Sequence, residues 1–458
     1  MGMSETSHDC VVIGAGPGGY VAAIRAAQLG LRAAVVERDA VGGRCLNYAC
    51  IPAKAVLRVA DVVSEIDEAA DFGIEVPERV VHFSKVGERR RTVIETLTGG
   101  VRGLLKNNGV EVVTGEARLT RAGVVQVNGA TLSAPTIVLA TGSVKRSLSG
   151  IEFGGRVIGT EEAWALEELP ASMAVVGAGA SGAEIASAYG RLGTNVLLFE
   201  ALERVLPTEE PDVSKVVARA LARQNIELHT GTLLERVTPH DDGVKLEFAG
   251  KEADVDWLVV ATGRAPDVAG LGLDQLGVER DAAGLLKVDP TMRTSVPGIY
   301  AIGDLVAGPA LAHKASDEGV IAVESAAGRT THPLSYQEIP RATFCTPNVA
   351  SFGLTEAQAR EQGYDVVVGK VPYGAVGAGT VYGDRAGIIK VVGERQLGEL
   401  LGGHIVGAKA TELIQELVNV RALEGGFPEV ARIVHGHPTL AEGVMEAARA
   451  ADGWLVHG

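Results

Sequence analysis

The stretch Cys10-Val11-Val12-Ile13-Gly14-Ala15-Gly16-Pro17-Gly18-Gly19 runs from a short apolar, β-branched segment into a cluster of glycines, and an alanine-rich segment follows to Leu29, with Gly30 behind it. The order reads strand, glycine turn, helix. Val35-Val36-Glu37 then reads as a second strand ending in a carboxylate. In a dinucleotide fold, glycines placed like Gly14, Gly16 and Gly19 let the main chain approach a pyrophosphate at a helix N-terminus. An acid placed like Glu37 accepts ribose hydroxyls.

A Gly-x-Gly-x-x-Gly pattern is weak alone, because glycine is 59 of 458 residues, about 13% against the usual ~7%. A second copy changes the odds. Ala174-Val175-Val176 leads into Gly177-Ala178-Gly179-Ala180-Ser181-Gly182, a helical segment to Leu192, and then Val196 to Phe199 and Glu200. Gly14 to Glu37 and Gly177 to Glu200 both span 23 positions, and each copy ends in an apolar strand followed by Ala-Thr-Gly, at 140–142 and 261–263. The sequence therefore predicts an α/β protein with two Rossmann-like dinucleotide-binding domains. Glu200 would repel a 2′-phosphate and so favours NAD over NADP, with Arg204 four residues on as the one opposing charge.

Composition narrows the rest. With 42 basic and 57 acidic residues the formal charge is −15, and 46% of residues are apolar, which excludes a disordered chain and gives no footprint for nucleic acid. About three domains fit the length. Four cysteines are too few for a secreted disulfide scaffold, no signal peptide is visible, and no apolar run reaches a membrane span. A cytoplasmic protein is expected. Met1-Gly2 with Thr6 fits a lipidation pattern too short to carry weight.

Cys45 and Cys50 stand five residues apart in Gly42-Gly43-Arg44-Cys45-Leu46-Asn47-Tyr48-Ala49-Cys50-Ile51-Pro52-Ala53-Lys54. Two buried small residues at a helix start are one reading. Zinc lacks a further Cys or His pair at ligand spacing, so no metal is expected. A dithiol that opens and closes fits better, with Lys54 stabilising a thiolate. In a regular helix, residues five apart lie roughly 8 to 9 Å apart at Cα, beyond the ~7 Å that a disulfide tolerates. The backbone between the two cysteines is therefore expected to leave the regular helix.

This motif resembles the redox-disulfide segment of the flavoprotein disulfide reductases, the class I pyridine nucleotide-disulfide oxidoreductases, and most of all those members that oxidise dihydrolipoamide. Further signatures of that family follow in order: Ala261-Thr262-Gly263-Arg264, Gly298-Ile299-Tyr300-Ala301-Ile302-Gly303-Asp304, Leu311-Ala312-His313, and His435-Gly436-His437-Pro438-Thr439-Leu440-Ala441-Glu442. The resemblance spans essentially the whole chain. It implies an FAD-binding domain with the redox disulfide at 1–145, an NAD-binding domain at 146–265, a central segment returning to the FAD domain at 266–340, and an α+β dimerisation domain at 341–458. Strands are expected at 366–371, 387–392 and 404–406, and helices at 409–425 and 439–451.

The resemblance also implies residue roles. Cys45 would form the mixed disulfide and Cys50 would face the flavin, with Lys54 paired to Glu184 close by. FAD would lie against Gly14, Gly16, Gly19, Glu37, Gly115, Asp304 and Ala312, and NAD against Gly177, Gly179, Gly182, Glu200 and Gly263. His437 would be the general base, serving the opposite subunit of a homodimer, with Glu442 fixing its tautomer; an imidazole titrates in the range a thiol's proton requires. His435 is expected to be structural, and Cys10 and Cys345 buried and inert. The implied reaction is oxidation of dihydrolipoyl groups on a carrier domain of a 2-oxo-acid dehydrogenase or glycine-cleavage complex by NAD. A reductase of another disulfide, of glutathione or mycothione type, is the alternative. Arg44, Tyr48, Ala49 and Ala53 depart from the family's usual cysteine motif, Ser181 stands where an aliphatic residue is usual, and Lys314 is an added charge after Leu311-Ala312-His313.

Overall fold

The computed structural model describes residues 5–458; the Met1-Gly2 pattern lies outside them. The chain forms two compact units. One holds the chain up to Ala55 with Gly87–Arg146 and Gly263–Tyr336, and the other holds Val56–Val86, Ser147–Thr262 and Gln337–Gly458.

In the first unit, Cys10–Ile13 is the central strand of a five-stranded parallel sheet. Ala33–Glu37 and Glu111–Thr114 follow on one side, and Thr136–Leu139 and Ile299–Ala301 on the other. All four residues of Cys10–Ile13 and of Thr136–Leu139 are buried, as expected for parallel strands covered on both faces, whose sequence is then a continuous apolar run. Helix Pro17–Gln28 starts with proline at its first turn, where the missing N–H costs nothing, and presents Ala22, Ala23 and Ala26 to the core. It packs on helix Ala312–Ala326 at close range: a Cβ on Gly18 would lie 2.8 Å from the Ala315 carbonyl oxygen.

The second unit repeats this plan. Ser172–Val176 is central, flanked by Asn195–Phe199 and Ile226–His229 on one side and by Trp257–Val260 and Val157–Gly159 on the other, all parallel. In both sheets the strand that leads into Ala-Thr-Gly pairs with the first strand of its copy.

The second unit also carries an antiparallel five-stranded sheet, ordered Arg341–Thr343, Val349–Gly353, Leu400–Val406, Ile388–Glu394, Val366–Pro372. Its helices include Ala410–Ala422, Phe427–Arg432 and Ala441–Ala451. The strand expected at 404–406 begins earlier, at Leu400, because Gly402 and Gly403 hide its apolar pattern while making room for Leu354 and Phe352. Phe427–Arg432 lacks a sequence counterpart, being a six-residue helix whose Pro428 reads as a breaker. No described helix is long and apolar enough to cross a membrane.

Candidate active site

The two glycine turns are built alike. Gly14 takes φ +103° and Gly177 φ +97°. A Cβ on Gly19 would fall 1.8 Å from the Gly14 carbonyl oxygen, and one on Gly182 would fall 1.8 Å from that of Gly177. These third glycines let each helix start tight against its strand. The middle glycines are open: Gly16 has its nearest neighbour at 4.0 Å and Gly179 has none within that distance. The acids close each turn in the same way. Glu37 accepts the Ala15 N–H at 2.7 Å and the Asp39 N–H at 2.9 Å, and Glu200 accepts the Ala178 N–H at 2.8 Å and the Leu202 N–H at 3.0 Å.

Gly14, Glu37 and Gly115 line one cavity of about 360 Å³, together with Arg38, Thr141 and Gly270. A clear middle glycine, main-chain N–H groups at a helix start and a strand-end carboxylate beside a cavity of this size suit the adenosine and pyrophosphate of FAD. Gly115 joins them through its main chain, whose N–H donates to the Glu37 carbonyl at 2.8 Å.

Cys45 lies in the short helix Gly43–Asn47, and Cys50 opens the helix Cys50–Asp67. Between them the chain leaves the regular helix at Tyr48, with φ −131° and ψ −18°, as the spacing required. The two thiols are within hydrogen-bonding reach. That bond and burial push the Cys45 thiol well above its ordinary value, against the opposing pull of Lys54 and Arg44. A charge on Cys50 adds to the rise, because two like charges this close disfavour each other. The Tyr48 hydroxyl donates to Asp39 at 2.8 Å, and burial with this bond raises the phenol to about 12. Tyr48 is thereby tied to the loop after Glu37.

Asp304 sits in the turn Gly303–Leu305, where its Oδ2 accepts the Ser143 hydroxyl, and Ser143 Oγ in turn accepts Arg264 Nε–H at 2.8 Å. Ala312 opens the helix Ala312–Ala326. Lys314 is no surface charge: it is 1% exposed, and its side chain pairs with Glu318.

His437 stands after Gly436 on the loop before helix Ala441–Ala451, and its bond to Pro438 is cis. Its Nδ1 lies 2.8 Å from Glu442 Oε1, while Glu442 Oε2 accepts the Thr439 N–H at 2.8 Å. Burial pushes the Glu442 carboxyl up, but the bonds from His437 and Thr439 outweigh it and hold the group below its ordinary value. An ionised carboxylate only accepts, so Nδ1 carries the proton and Nε2 its lone pair. The imidazole is 76% exposed, leaving Nε2 open to an incoming group.

The model of the family "Pyridine nucleotide-disulphide oxidoreductase" matches residues 8–319, and that of the family's dimerisation domain matches residues 339–448. The chain belongs to this family. It is 41% identical over 460 residues to a dihydrolipoyl dehydrogenase of Bacillus subtilis, covering 98% of this chain and 97% of that one. It is 42% identical over 459 residues to a dihydrolipoyl dehydrogenase of Thermus scotoductus, covering 98% and 99%. Among solved structures, LpdA of Mycobacterium tuberculosis superposes with a TM-score of 0.90 at 26% identity, over 96% of this chain and 99% of that one. The chain is thus an NAD-dependent flavoprotein disulfide oxidoreductase of a family that uses FAD and NAD.

Within a pyridine nucleotide-disulphide oxidoreductase, the remaining residues sort by their contacts. Glu184 is buried on helix Ala180–Leu192 and accepts the Phe344 N–H at 2.8 Å. Gly263 opens a segment of the unit that holds Gly14, whereas Thr262 closes one of the unit that holds Gly177. His435 uses both ring nitrogens, on the Ile433 carbonyl at 2.8 Å and on Glu416 at 2.6 Å. Cys345 is buried with Sγ 3.3 Å from the Pro347 carbonyl, and burial lifts the Cys10 thiol to about 12. The contacts that join Ser143 and Arg264 to Asp304 were not readable in the sequence, where Arg264 stands only as part of a signature: no spacing rule connects 143, 264 and 304.

Proposed function

We propose that the chain oxidises protein-bound dihydrolipoyl groups with NAD, through a Cys45–Cys50 pair that alternates between disulfide and dithiol. The observation that carries this reading is the thiol pair itself, two sulfurs in mutual reach at a break between helices, with Lys54 four residues beyond Cys50.

His437 Nε2 takes the proton of a dihydrolipoyl thiol, and Glu442 stabilises the imidazolium through Nδ1. The substrate thiolate attacks Cys45 Sγ of the disulfide, so that a mixed disulfide forms and Cys50 leaves as thiolate. The second substrate thiol then displaces Cys45, closing the lipoyl disulfide, and its proton passes to Cys45, so that the pair ends as the Cys45 thiol and the Cys50 thiolate with the first proton on His437. Both electrons of the substrate now reside on the dithiol. Lys54 favours the thiolate that carries the negative charge. Bound FAD supplies two-electron redox chemistry between this dithiol and NAD. Gly14, Gly16, Gly19, Glu37, Gly115, Asp304 and Ala312 would hold FAD, and Gly177, Gly179, Gly182, Glu200 and Gly263 would hold NAD. Glu184, fixed by the Phe344 N–H, is assigned to the catalytic centre with Lys54.

His437 of one subunit serves the dithiol of the other in a homodimer. The carrier is a lipoyl domain of a 2-oxo-acid dehydrogenase or glycine-cleavage complex in the cytoplasm, and the net charge of −15 suits a basic docking partner. Iodoacetamide labelling tests the chemistry. One equivalent of dihydrolipoamide added to the oxidised protein should render both Cys45 and Cys50 alkylatable; labelling that does not change at these two residues removes the reading.

A further inference from the structure

Lys314 and Glu318 lie one turn apart on helix Ala312–Ala326, with both side chains at 0% exposure and Nζ 3.3 Å from Oε1. Replacing such a buried pair by apolar residues is often neutral or stabilising, so stability alone gives it no purpose. Its partners do. Lys314 Nζ donates to the Gly303 carbonyl at 2.8 Å, and Glu318 Oε2 accepts the Gly303 N–H at 2.7 Å. One ion pair thus takes both main-chain polar groups of a single residue. The Tyr336 hydroxyl donates to the other carboxylate oxygen of Glu318. Burial pushes the Glu318 carboxyl up, and these three partners pull against it.

The gripped residue matters for its neighbour. Gly303 holds φ +71°, a left-handed conformation, and Asp304 is the next residue. Asp304 is in turn held by Ser143, which Arg264 fixes. The turn is therefore clamped from two sides, by the main chain of Gly303 and by the carboxylate of Asp304.

We propose that Lys314, Glu318 and Tyr336 are positioning residues that preset the Gly303-Asp304 turn to receive the polyol chain of the flavin. The inference rests on the reading of Asp304 as an FAD ligand. None of the three need touch the cofactor. They act by removing the freedom that the turn would otherwise lose on binding, and a preorganised site binds more tightly for the same contacts.

The test is flavin retention by the holoenzyme, followed as free FAD fluorescence on dialysis, in the variants K314M/E318L, K314M/E318Q and D304N. The first double variant removes the grip without leaving a buried charge unpaired, and the second returns an acceptor for the Gly303 N–H. The FAD dissociation constant should rise about tenfold or more in K314M/E318L and fall part of the way back in K314M/E318Q. It should also rise in D304N. A dissociation constant within twofold of the parent in K314M/E318L, with D304N weakened, overturns the positioning role and leaves Asp304 in place. An unchanged D304N overturns the reading of Asp304 and the inference with it. If the double variants do not fold, Y336F decides at unchanged melting temperature: a threefold or larger rise supports the proposal, and a constant within twofold of the parent refutes it.

Discussion

The glycine turns at Gly14 and Gly177 are near copies, yet the chain beyond each turn is put to different use. Both place the third glycine 1.8 Å from a carbonyl oxygen by its absent Cβ, and both tie the strand-end acid to a loop N–H. Only the first leads on to a broken helix pair carrying two thiols. Both loops return to their own turn, the Gly42 N–H donating to the Ala15 carbonyl at 2.9 Å and the Leu206 N–H to the Ala178 carbonyl at 2.8 Å, but the loop after Glu200 carries no cysteine. A dinucleotide turn fixes where a cofactor lies, whereas the redox chemistry comes from the groups attached beside it.

The sharpest way to break this comparison is Cys45→Ser, which is expected to abolish NAD reduction by dihydrolipoamide while flavin absorbance and nucleotide binding persist. Retained turnover would place the chemistry elsewhere. Next in size, His437→Gln should lower kcat by roughly 10²- to 10⁴-fold with little effect on flavin content, measured as steady-state rate on the dimeric enzyme.

The two turns can then be set against each other. Gly19→Ala should cost about 1 to 3 kcal/mol from overpacking and yield protein depleted in FAD. Gly182→Ala should keep its FAD and raise the KM for NAD. Loss of flavin from both, or from neither, would show that the turns do not serve separate cofactors. Glu200→Ala should shift the ratio of NAD to NADP efficiency by about tenfold towards NADP, an effect that Glu37→Ala should lack.

The smallest effect lies outside both turns. Glu416 holds the His435 imidazole above its ordinary value, against burial. A raised folded-state value adds stability below the ordinary histidine range, and that stability is lost as pH rises through the folded value. Glu416→Gln should therefore lower the melting temperature more at pH 5.5 than at pH 9. An equal loss at both values would mean that His435 is held by packing alone.

Much of the fold was legible because its signals are local. The strand-turn-helix units show as apolar runs and glycines at fixed spacing, and the break between Cys45 and Cys50 follows from chain geometry once the two are read as a pair that bonds. His437 and Glu442 were readable because they stand five residues apart. The Ser143–Arg264–Asp304 contacts were not, since they exist only after the chain returns to one unit from distant segments. The burial of Lys314 was not legible for a related reason. Its sequence neighbours give no sign that Gly303, eleven residues back, and Tyr336 close around it. The helix Phe427–Arg432 escaped because six residues are too few to establish a period.

The most direct test of the central claim is the initial rate of NAD reduction by dihydrolipoamide, measured beside the reverse rates with NADPH and with glutathione disulfide. Fast NAD-linked turnover of dihydrolipoamide, with weak rates for the other two, is the expected result. A flavin that NADH reduces but that turns over no lipoamide, or a preference for NADPH and glutathione disulfide, would contradict it.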